Sequence, residues 1–260
     1  MNIVVLVKQV PDTYAERKLR EVDGRLDRDA SDAVLDEINE RAVEEALQLK
    51  EAHDATVTVV SMGPDRATEA IRKALSMGAD AAVHVSDEAL AGSDAVATAR
   101  VLAAAVGTVE GVDLVLAGNE ASDGGSAAVP AMVAELLGLP ALTHARQVSV
   151  EGGTVDVRRE TDDGVVVLRA ELPAVVSVNE KINEPRYPSF KGIMAAKSKP
   201  IQTLGVSDLG LGADEVGLGN ASSQVVSFEV APPRQAGQIV KDEGDGGAKV
   251  AEFLASQKFV

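Results

Sequence analysis

The residues between Gly118 and Ser126 are the strongest candidates for binding a phosphate group. The stretch reads GNEASDGGS, follows the apolar strand pattern DLVLA and precedes a helical pattern that starts near Ala127. Glycines let a backbone approach a ligand closely, and free N–H groups at a helix N-terminus bind anions with the help of the helix dipole. The sequence therefore predicts a nucleotide phosphate loop, although a purely structural turn between strand and helix would have a similar composition.

Known motifs restrict the chemistry of this loop. It contains neither the Gly-Lys-Ser/Thr of a Walker A motif nor the GxGxxG spacing of a dinucleotide fingerprint. Without a lysine acting on the phosphates, binding is favoured over phosphoryl transfer. His53, His84 and His144 lie in different predicted elements without metal-ligand spacing, and no serine lies in a GxSxG motif. We therefore expect neither catalytic residues nor a metal site.

A second candidate is the stretch from Asn183 to Pro200, which reads NEPRYPSFKGIMAAKSKP. It combines prolines, lysines and bulky apolar residues without a helical or strand period. Exposed apolar residues on a loop are typical of an anchor for another protein. The alternative is a rigid connection whose apolar residues fold back onto the core. The residues in question are Tyr187, Phe190, Lys191, Ile193, Met194, Lys197 and Lys199.

Alternating strand and helix patterns lead up to these two stretches. Short apolar runs predict buried parallel strands, and apolar residues at helical spacing predict crossover helices. For the first helix, Ser31 or Asp32 is the expected N-cap. The predicted strands are Ile3–Val7, Thr56–Val60, Ala81–Val85 and Leu114–Ala117, and the predicted helices are Ser31–Glu51, Arg66–Met77 and Ser93–Val106.

This alternation predicts an α/β fold with a doubly wound, mostly parallel sheet and helices on both of its faces. Ligands of such sheets bind outside the carboxyl ends of the strands. Three predicted strand ends carry turn-forming or small residues, namely Lys8–Asp12, Ser61–Pro64 and Gly118–Ser126. We expect them to converge on one crevice.

The pattern changes after Pro140. Valines recur with a period of two along residues 148–157, the apolar run Val165–Leu168 follows, and glycine turns lie between these segments, which predicts an antiparallel extension. LPAVVSV at Leu172–Val178 predicts one more buried strand. From residue 205 the chain is rich in glycine and closes on a short helix at Ala248–Gln257. We therefore predict a domain over residues 1–204 and an extended C-terminal arm over 205–260 that packs on another subunit, with a flexible tail as the alternative.

Composition limits the partners and the cofactor. The 41 Asp and Glu against 25 Lys and Arg give a net charge of −16, which disfavours nucleic acid and anionic membranes. The absence of cysteine, of a long apolar run and of a basic leader predicts a cytoplasmic protein that does not insert into a membrane. Aromatic residues make up 2%, so a flavin stacked mainly on this chain is not expected. Acidic clusters such as Glu40, Glu44 and Glu45, or Asp162 and Asp163, are interpreted as solvated faces.

The order of several motifs resembles one known family. The opening VLVKQV, the LPAVVSV strand, NEPRYPSFKGIMAAKSKPI at Asn183–Ile201 and PPRQAG at Pro232–Gly237 resemble the electron-transfer flavoprotein beta subunit of bacteria. The resemblance covers nearly the whole chain and implies a sheet of the adenine-nucleotide alpha-hydrolase-like type. It also implies an electron carrier subunit rather than an enzyme. An alternative from the residues alone is a stand-alone adenine-nucleotide-binding stress-type protein or hydrolase, which would account for residues 1–145 only.

The resemblance implies a structural AMP. Residues of the loop would wrap its phosphate and ribose, Leu6 would touch the adenine, the start of the first helix would read the adenine edge, and Met62 would close the pocket. Departures from some family members at Asp36–Ile38, Asn119–Glu120 and Asp123–Gly125 affect base contacts more than phosphate contacts, since backbone N–H groups survive substitution. The implied AMP residues are Leu6, Asp36, Glu37, Ile38, Asn39, Met62, Gly118, Asn119, Glu120, Ala121, Ser122, Asp123, Gly124, Gly125, Ser126, Ala127, Ala128 and Val129.

The resemblance further implies a heterodimer with an alpha subunit that holds most of the FAD. Electrons would come from acyl-CoA dehydrogenases of fatty acid beta-oxidation and related enzymes, and would pass to an electron-transfer flavoprotein quinone oxidoreductase. Tyr14 corresponds to a position near the flavin ring. Phe190, together with Lys191, Ile193 and Met194, corresponds to the loop that recognises the dehydrogenase.

Overall fold

The computed structural model describes residues 1–234, 237 and 239–260 of the chain. Gln235 and Ala236, which belong to the PPRQAG stretch, lie outside the described residues. The described chain forms two compact units, Met1–Val226 and Ser227–Val260.

The first unit alternates strands and helices. Its strands are β1 (Asn2–Val7), β2 (Gln9–Pro11), β3 (Ala33–Leu35), β4 (Thr56–Met62), β5 (Ala81–Val85), β6 (Val112–Gly118), β7 (Ala141–Ala145), β8 (Gln147–Glu151), β9 (Thr154–Thr161), β10 (Gly164–Glu171), β11 (Ala174–Val178) and β12 (Ile201–Leu204). Its helices are α1 (Glu37–His53), α2 (Thr68–Met77), α3 (Ala95–Val106), α4 (Val129–Leu137) and α5 (Phe190–Ala196), and α6 (Gly246–Ser256) lies in the second unit.

A seven-stranded sheet with the order β12-β5-β4-β1-β6-β11-β7 forms the centre of the first unit. All of its neighbouring strands are parallel. The middle strands are buried on both faces, which explains why their sequences are continuous apolar runs. The predicted doubly wound sheet is therefore confirmed, with β7 and β12 as further edge strands that the sequence did not indicate.

Two layers of helices cover the sheet. Residues of α1 and α2 pack with Ile3, Val5 and Val7 of β1 on one face. Residues of α3 and α4 pack with Val4 and Leu6 of β1 on the other face. Alternate residues of a strand point to opposite faces, so the central strand contributes to both halves of the core. Helices therefore lie on both faces, as predicted.

A second, antiparallel sheet has the order β10-β9-β8. It confirms the extension predicted after Pro140. Val155 and Val157 of β9 are buried in the core, whereas Val165 and Val167 of the edge strand β10 are 53% and 63% exposed. This sheet thus packs on the body through β8, β9 and the Leu168–Ala170 part of β10, whereas residues 165–167 of β10 are exposed.

The first helix starts later than predicted. Residues 33–35 form β3, which pairs antiparallel with β2, and α1 starts at Glu37 with Asp36 as its N-cap. Ser31 and Asp32 are therefore not its cap. The apolar spacing from Leu35 onward suits both a short strand and a helix, and the backbone bond from Asp36 N–H to the carbonyl of Lys8 places residues 33–36 beside the end of β1.

The compact unit continues past residue 204, where the predicted domain ended. Val206 and Val216 are buried on the α3 side of the sheet. The glycines of this part allow close approach: a Cβ at Gly217, whose φ is +72°, would lie 2.2 Å from the carbonyl oxygen of Ala89. Residues 205–226 therefore pack against the body, and the second unit begins at Ser227.

The second unit contains α6, which starts two residues before the predicted helix Ala248–Gln257 and ends one residue before it, so this helix is confirmed. Packing of residues 205–260 on another subunit stays a prediction, as does the cytoplasmic location. Among the residues described, no helix is long and apolar enough to cross a membrane.

Candidate functional site

The predicted phosphate loop connects β6 to α4 at the carboxyl edge of the central sheet. At its start, Gly118 lies against the first turn of α1. A Cβ at Gly118 would lie 2.5 Å from Asn39 Nδ2 and 3.0 Å from Ile38 Cγ2. These distances are short for a side chain, so a larger residue at this position would force the side chains of Asn39 and Ile38 to shift. The loop and residues 36–39 are thus brought together, as the predicted AMP site requires.

Asp36 joins α1 to the loop. Its Oδ1 accepts hydrogen bonds from the backbone N–H groups of Ile38 and Asn39, at 3.0 and 3.1 Å, and so caps α1. Its Oδ2 accepts a bond of 2.7 Å from the N–H of Ser122. Asp36 is fully buried, and both of its carboxylate oxygens bind backbone groups. The side chain therefore holds the loop in place.

A charged cluster fixes the middle of the loop. Lys8 Nζ lies 2.7 Å from Asp123 Oδ1, and Arg28 Nη2 lies 2.8 Å from Asp123 Oδ2. The Asp123 side chain is fully buried in this arrangement. Burial would raise the pKa of the Asp123 carboxyl, but the two cations outweigh burial and lower the pKa. The loop also binds the carboxyl group of Asp36 and carries Glu120, so the two cations offset nearby acidic groups rather than leaving an excess of positive charge.

The strand ends that were predicted to converge do meet here. Lys8 follows β1 and binds Asp123 of the loop after β6. Gln9 Nε2 donates 3.0 Å to the carbonyl of Arg66, which follows the turn after β4. Arg66 in turn donates from Nη2 to the carbonyl of Arg28 at 3.0 Å. The carboxyl ends of the three central strands therefore share one set of contacts.

Several polar groups of the loop are free to bind a ligand. Asn119 Oδ1 and Ser122 Oγ are buried without a hydrogen-bond partner within the described structure. The N–H groups of residues 126–129 have no protein acceptor in the described part of the chain. The N-cap of α4, Ala128, provides no side-chain cap. Ser122 Oγ and the N–H groups are donors that suit a phosphate, whereas Asn119 Oδ1 is an acceptor and suits a hydroxyl group.

The geometry of the loop leaves room for such a group. A Cβ built on Gly124 would have no neighbour within 4 Å among the described atoms. Gly125 and Ala127 have φ values of +57° and +51°. Left-handed residues turn successive N–H groups toward one side, which favours anion binding. The arrangement can bind a phosphate, and within the described residues no group of acids and histidines could hold a metal ion.

The other predicted AMP residues lie on the opposite face of the sheet from α1. Leu6 of β1 is 6% exposed and packs on the α3 and α4 side. Met62, at the end of β4, is partly buried on the same side. Leu6 pairs with Ala117 of β6, one residue before the loop. Leu6 and Met62 therefore lie on the α3 and α4 side of the sheet, and residues 36–39 lie on the α1 side. The phosphate loop starts between these two groups, at the carboxyl end of β6.

Tyr14, the predicted flavin contact, lies in the irregular segment between β2 and β3. Its side chain is 95% exposed, and its backbone N–H donates to Asp12 Oδ1 at 2.9 Å. A contact with flavin stays a prediction.

The stretch from Asn183 to Pro200 contains a helix, which its sequence did not predict. Ser189 caps α5 by accepting a hydrogen bond of 3.0 Å from the N–H of Gly192. The helix has only seven residues and lies between two prolines, so the sequence shows no helical period there. Tyr187 and Phe190 are 96% and 81% exposed, so these side chains do not fold back onto the core.

The outer face of α5 is apolar with basic neighbours. Ile193 and Met194 are about half exposed, at 46% and 51%. Lys191 and Lys197 are exposed beside them. An open groove of about 570 Å³ lies beside the contact between α5 and α2 and is lined by both apolar and basic residues. We call α5 with Tyr187 the apolar ridge.

The prediction of a fully solvated acidic face on α1 is wrong for two glutamates. Glu44 and Glu45 are 4% and 7% exposed. Arg186 donates from Nε and Nη2 to Glu44 at 2.7 and 3.0 Å, and Asn183 Nδ2 donates to Glu45 at 3.0 Å. Burial would raise the pKa of Glu44, but the bonds from Arg186 outweigh it and lower the pKa. Burial raises the pKa of Glu45.

Comparison with known proteins identifies the family. The family model described as "Electron transfer flavoprotein domain" matches residues 23–209. The electron transfer flavoprotein subunit beta of Mycobacterium tuberculosis is 60% identical over 264 residues, covering 100% of this chain and 99% of the relative. The chain belongs to the electron transfer flavoprotein beta-subunit family. Beta subunits of this family pair with an alpha subunit, and the pair is a flavoprotein of electron transport.

More distant relatives also match this chain along most of its length. Subunit beta of Megasphaera elsdenii is 36% identical over 271 residues, covering 100% of both chains. The caffeyl-CoA reductase-Etf complex subunit CarD of Acetobacterium woodii is 39% identical over 238 residues, covering 91% of this chain and 90% of CarD. A stand-alone nucleotide-binding protein would account for residues 1–145 alone. The matches extend through the apolar ridge, so that alternative is not retained.

The sequence did not predict several ion pairs of this beta subunit. Lys8 and Arg28 were not recognised as partners of Asp123, nor Arg186 as the partner of Glu44. Lys8 directly follows the first strand, at the edge where ligands bind, and this position could have indicated its role. Arg28 and Arg186 lie in irregular segments whose path is set by tertiary contacts.

Proposed function

We propose that this beta subunit serves a heterodimeric electron carrier that takes electrons from acyl-CoA dehydrogenases and passes them to a membrane quinone oxidoreductase. FAD, held mostly by the alpha subunit, would supply the redox chemistry. This chain would contribute docking and structure, without an acid or base catalyst of its own. The observation that carries the proposal is the exposure of Phe190 on the apolar ridge of a chain whose whole length matches the family.

The apolar ridge has the chemistry of a docking anchor. Hot spots of interfaces are large apolar or aromatic side chains surrounded by polar groups. Phe190 offers the aromatic ring, Met194 lies one turn further along the same helix, and Lys191 and Lys197 are the polar neighbours. Such a ridge fits an apolar pocket with an acidic rim on a dehydrogenase.

The second part of the proposal is a structural AMP at the phosphate loop. Its phosphate would accept from the free N–H groups of residues 126–129. Ser122 Oγ, which is buried without a partner, could donate to the phosphate, and Asn119 Oδ1, an acceptor, could bind a hydroxyl group of the ribose. Met62 is partly exposed and would offer apolar surface to a base, whereas Leu6 is 6% exposed and would contribute only a small contact. Asp36 would act by holding Ser122, since its own oxygens are already bonded.

The docking role is tested with the heterodimer co-expressed with the alpha subunit of the same host. We expect Phe190→Ala to weaken docking by about 2–4 kcal/mol, which slows reduction by an acyl-CoA dehydrogenase and its acyl-CoA roughly 30- to 1,000-fold. Reduction by dithionite, FAD content and assembly should not change. Leu136→Ala, at another half-exposed apolar residue on a helix, is the control and should retain the rate. If Phe190→Ala separates the subunits or spares the dehydrogenase reaction, the docking role is wrong.

A further inference from the structure

The inner face of α5 lies unusually close to α2. A Cβ built on Gly192 would be 2.3 Å from the carbonyl oxygen of Ser76, which is far too short for a side chain. Ala196, one helical turn later, is 3% exposed on the same side. Residues four apart lie on one helix face, so glycine and alanine together form the contact surface. The apolar ridge therefore rests directly on the backbone of α2.

Two basic side chains tie the end of α5 to the same helix. Arg72 of α2 donates from Nη1 to the carbonyls of Ala196 and Lys199, at 2.5 and 2.9 Å. Lys199 donates from Nζ to the carbonyls of Leu75 and Ala79, at 3.0 and 2.6 Å, and so binds the C-terminal end of α2. Burial lowers the pKa of Lys199. The two residues form reciprocal links in which each binds the backbone of the other's segment.

A third link holds the approach to α5. Arg186 binds the buried carboxylate of Glu44 through its side chain and through its backbone N–H, which donates to Oε2 at 3.1 Å. Asn183 binds the carbonyl of Arg41 and the carboxylate of Glu45. The apolar ridge is thus attached to the core before and after the helix, while its outer side chains stay in solvent.

We propose that Gly192, Arg72, Lys199 and Arg186 are positioning residues that present Phe190 to the electron donor in one fixed orientation. This inference rests on the proposed docking role of the ridge. A segment that is ordered before binding does not lose conformational entropy when the partner docks. The rigid backbone under Phe190 therefore increases affinity although none of the positioning residues needs to touch the partner.

Gly192→Ala in the co-expressed heterodimer is the sharpest test, because it removes no exposed side chain. The added methyl group must displace α5 from α2. With the acyl-CoA dehydrogenase as enzyme and the flavoprotein as electron acceptor, we expect the KM for the flavoprotein to rise by about tenfold or more, with kcat nearly unchanged. Dithionite reduction, FAD content and assembly should equal those of the wild type. Gly247→Ala is the matched control, since that glycine also lies in a helix but has open space around its Cβ position in the described structure.

Arg72→Gln is a second variant that leaves the close contact intact. We expect a smaller rise in KM, together with faster tryptic cleavage after Lys191 and Lys197, because the end of α5 is released. Arg100→Gln is its control: Arg100 also donates to a distant backbone carbonyl, that of Glu215 at 3.0 Å, but not to the ridge. An unchanged KM in both Gly192→Ala and Arg72→Gln would overturn the proposal, whether or not cleavage becomes faster.

Phe190→Ala separates this inference from the docking role itself. If Phe190→Ala raises the KM while Gly192→Ala and Arg72→Gln do not, the ridge docks the donor and the positioning role is wrong. If Phe190→Ala also leaves the KM unchanged, the docking role is wrong, and so is the positioning role that rests on it.

Discussion

Asp36 Oδ2 accepts a hydrogen bond of 2.7 Å from the backbone N–H of Ser122, so the residue that caps α1 also holds the phosphate loop. The sequence resemblance implied that Asp36 reads the edge of an adenine. In the structure its carboxylate is fully buried and bound to three backbone N–H groups, two of α1 and one of the loop. Its position couples the first crossover helix to the loop, and a contact with an adenine stays a prediction.

The first prediction concerns this coupling. Asp36→Ala removes a helix cap, which typically costs about 1 kcal/mol, and it releases Ser122. We expect the heterodimer to unfold at a lower temperature and to contain substoichiometric AMP. AMP released by denaturation is measured by chromatography against the FAD content.

Asp94→Ala is the matched control for a lost cap. Asp94 caps α3 by accepting from the N–H of Ala97 at 3.0 Å and has no bond to the phosphate loop. It should lower the unfolding temperature but retain AMP. An equal loss of AMP in both variants would show that Asp36 has no specific role at the loop.

The second prediction is that Gly124→Trp blocks AMP uptake without unfolding the protein. Gly124 is exposed and a Cβ there meets open space in the described structure, so an indole should be accommodated without unfolding and should compete with a phosphate for the space beside the loop. Gly125 is less informative, because its φ of +57° makes any side chain there strained.

The readout for Gly124→Trp is AMP per heterodimer after denaturation, with Gly219→Trp as control. Gly219 also has open space around its Cβ position in the part of the chain described. Stoichiometric AMP in Gly124→Trp would contradict the proposed site, and the absence of AMP from the wild type would contradict it outright.

Much of the central fold could be predicted because its physical cause lies within each segment. A parallel strand buried on both faces needs a continuous apolar run, and β1, β4 and β6 have one. The loop after β6 was also predictable as a connection, since a glycine-rich stretch between a strand pattern and a helical pattern indicates a turn. Asp36 was recognised as a site residue but its contact was not, because the contact depends on the distant Ser122.

The elements that were missed are short or depend on tertiary contacts. The edge strand β12 has four residues, β2 and β3 have three each, and α5 has seven, too few to show a period. The burial of Glu44 was missed for another reason: its partner Arg186 is 142 residues away. Nothing in the local pattern of α1 distinguishes a glutamate in solvent from one covered by a returning segment.

The third prediction follows from the raised pKa of Glu45. In the unfolded chain this carboxyl titrates near 4.5, and in the folded protein burial shifts its pKa upward. The folded state therefore binds the proton more tightly, and this group makes the protein less stable as pH rises from about 4.5 through the folded pKa. Glu45→Gln keeps an oxygen for Asn183 and removes the charge, so we expect it to raise the thermal midpoint of the heterodimer at pH 7.

The pH dependence distinguishes this effect from a change in packing. The gain from Glu45→Gln should shrink as pH is lowered toward 4, where the wild-type carboxyl is protonated in both states. Thermal midpoints between pH 4 and 8 give the difference directly, and Glu135→Gln, at an exposed glutamate of α4, should show none. A gain that is the same at every pH would contradict the role of the buried charge.

The fourth prediction separates the apolar and the charged parts of the apolar ridge. Lys191 and Lys197 are exposed beside Phe190, and exposed charges act mainly on the rate of encounter with a partner of opposite sign. We expect Lys191→Gln and Lys197→Gln to slow dehydrogenase-dependent reduction a few-fold at low salt. At about 0.5 M salt the Debye length falls to roughly 4 Å, so the effect should disappear. Phe190→Ala should slow the reaction at both salt concentrations, because burial of an aromatic ring is not screened.

The rates are compared by stopped-flow absorbance of the FAD, with Lys181→Gln, at an exposed lysine before the ridge, as control. A loss that persists at high salt in the lysine variants would mean that these side chains are buried in the complex and belong to the anchor itself.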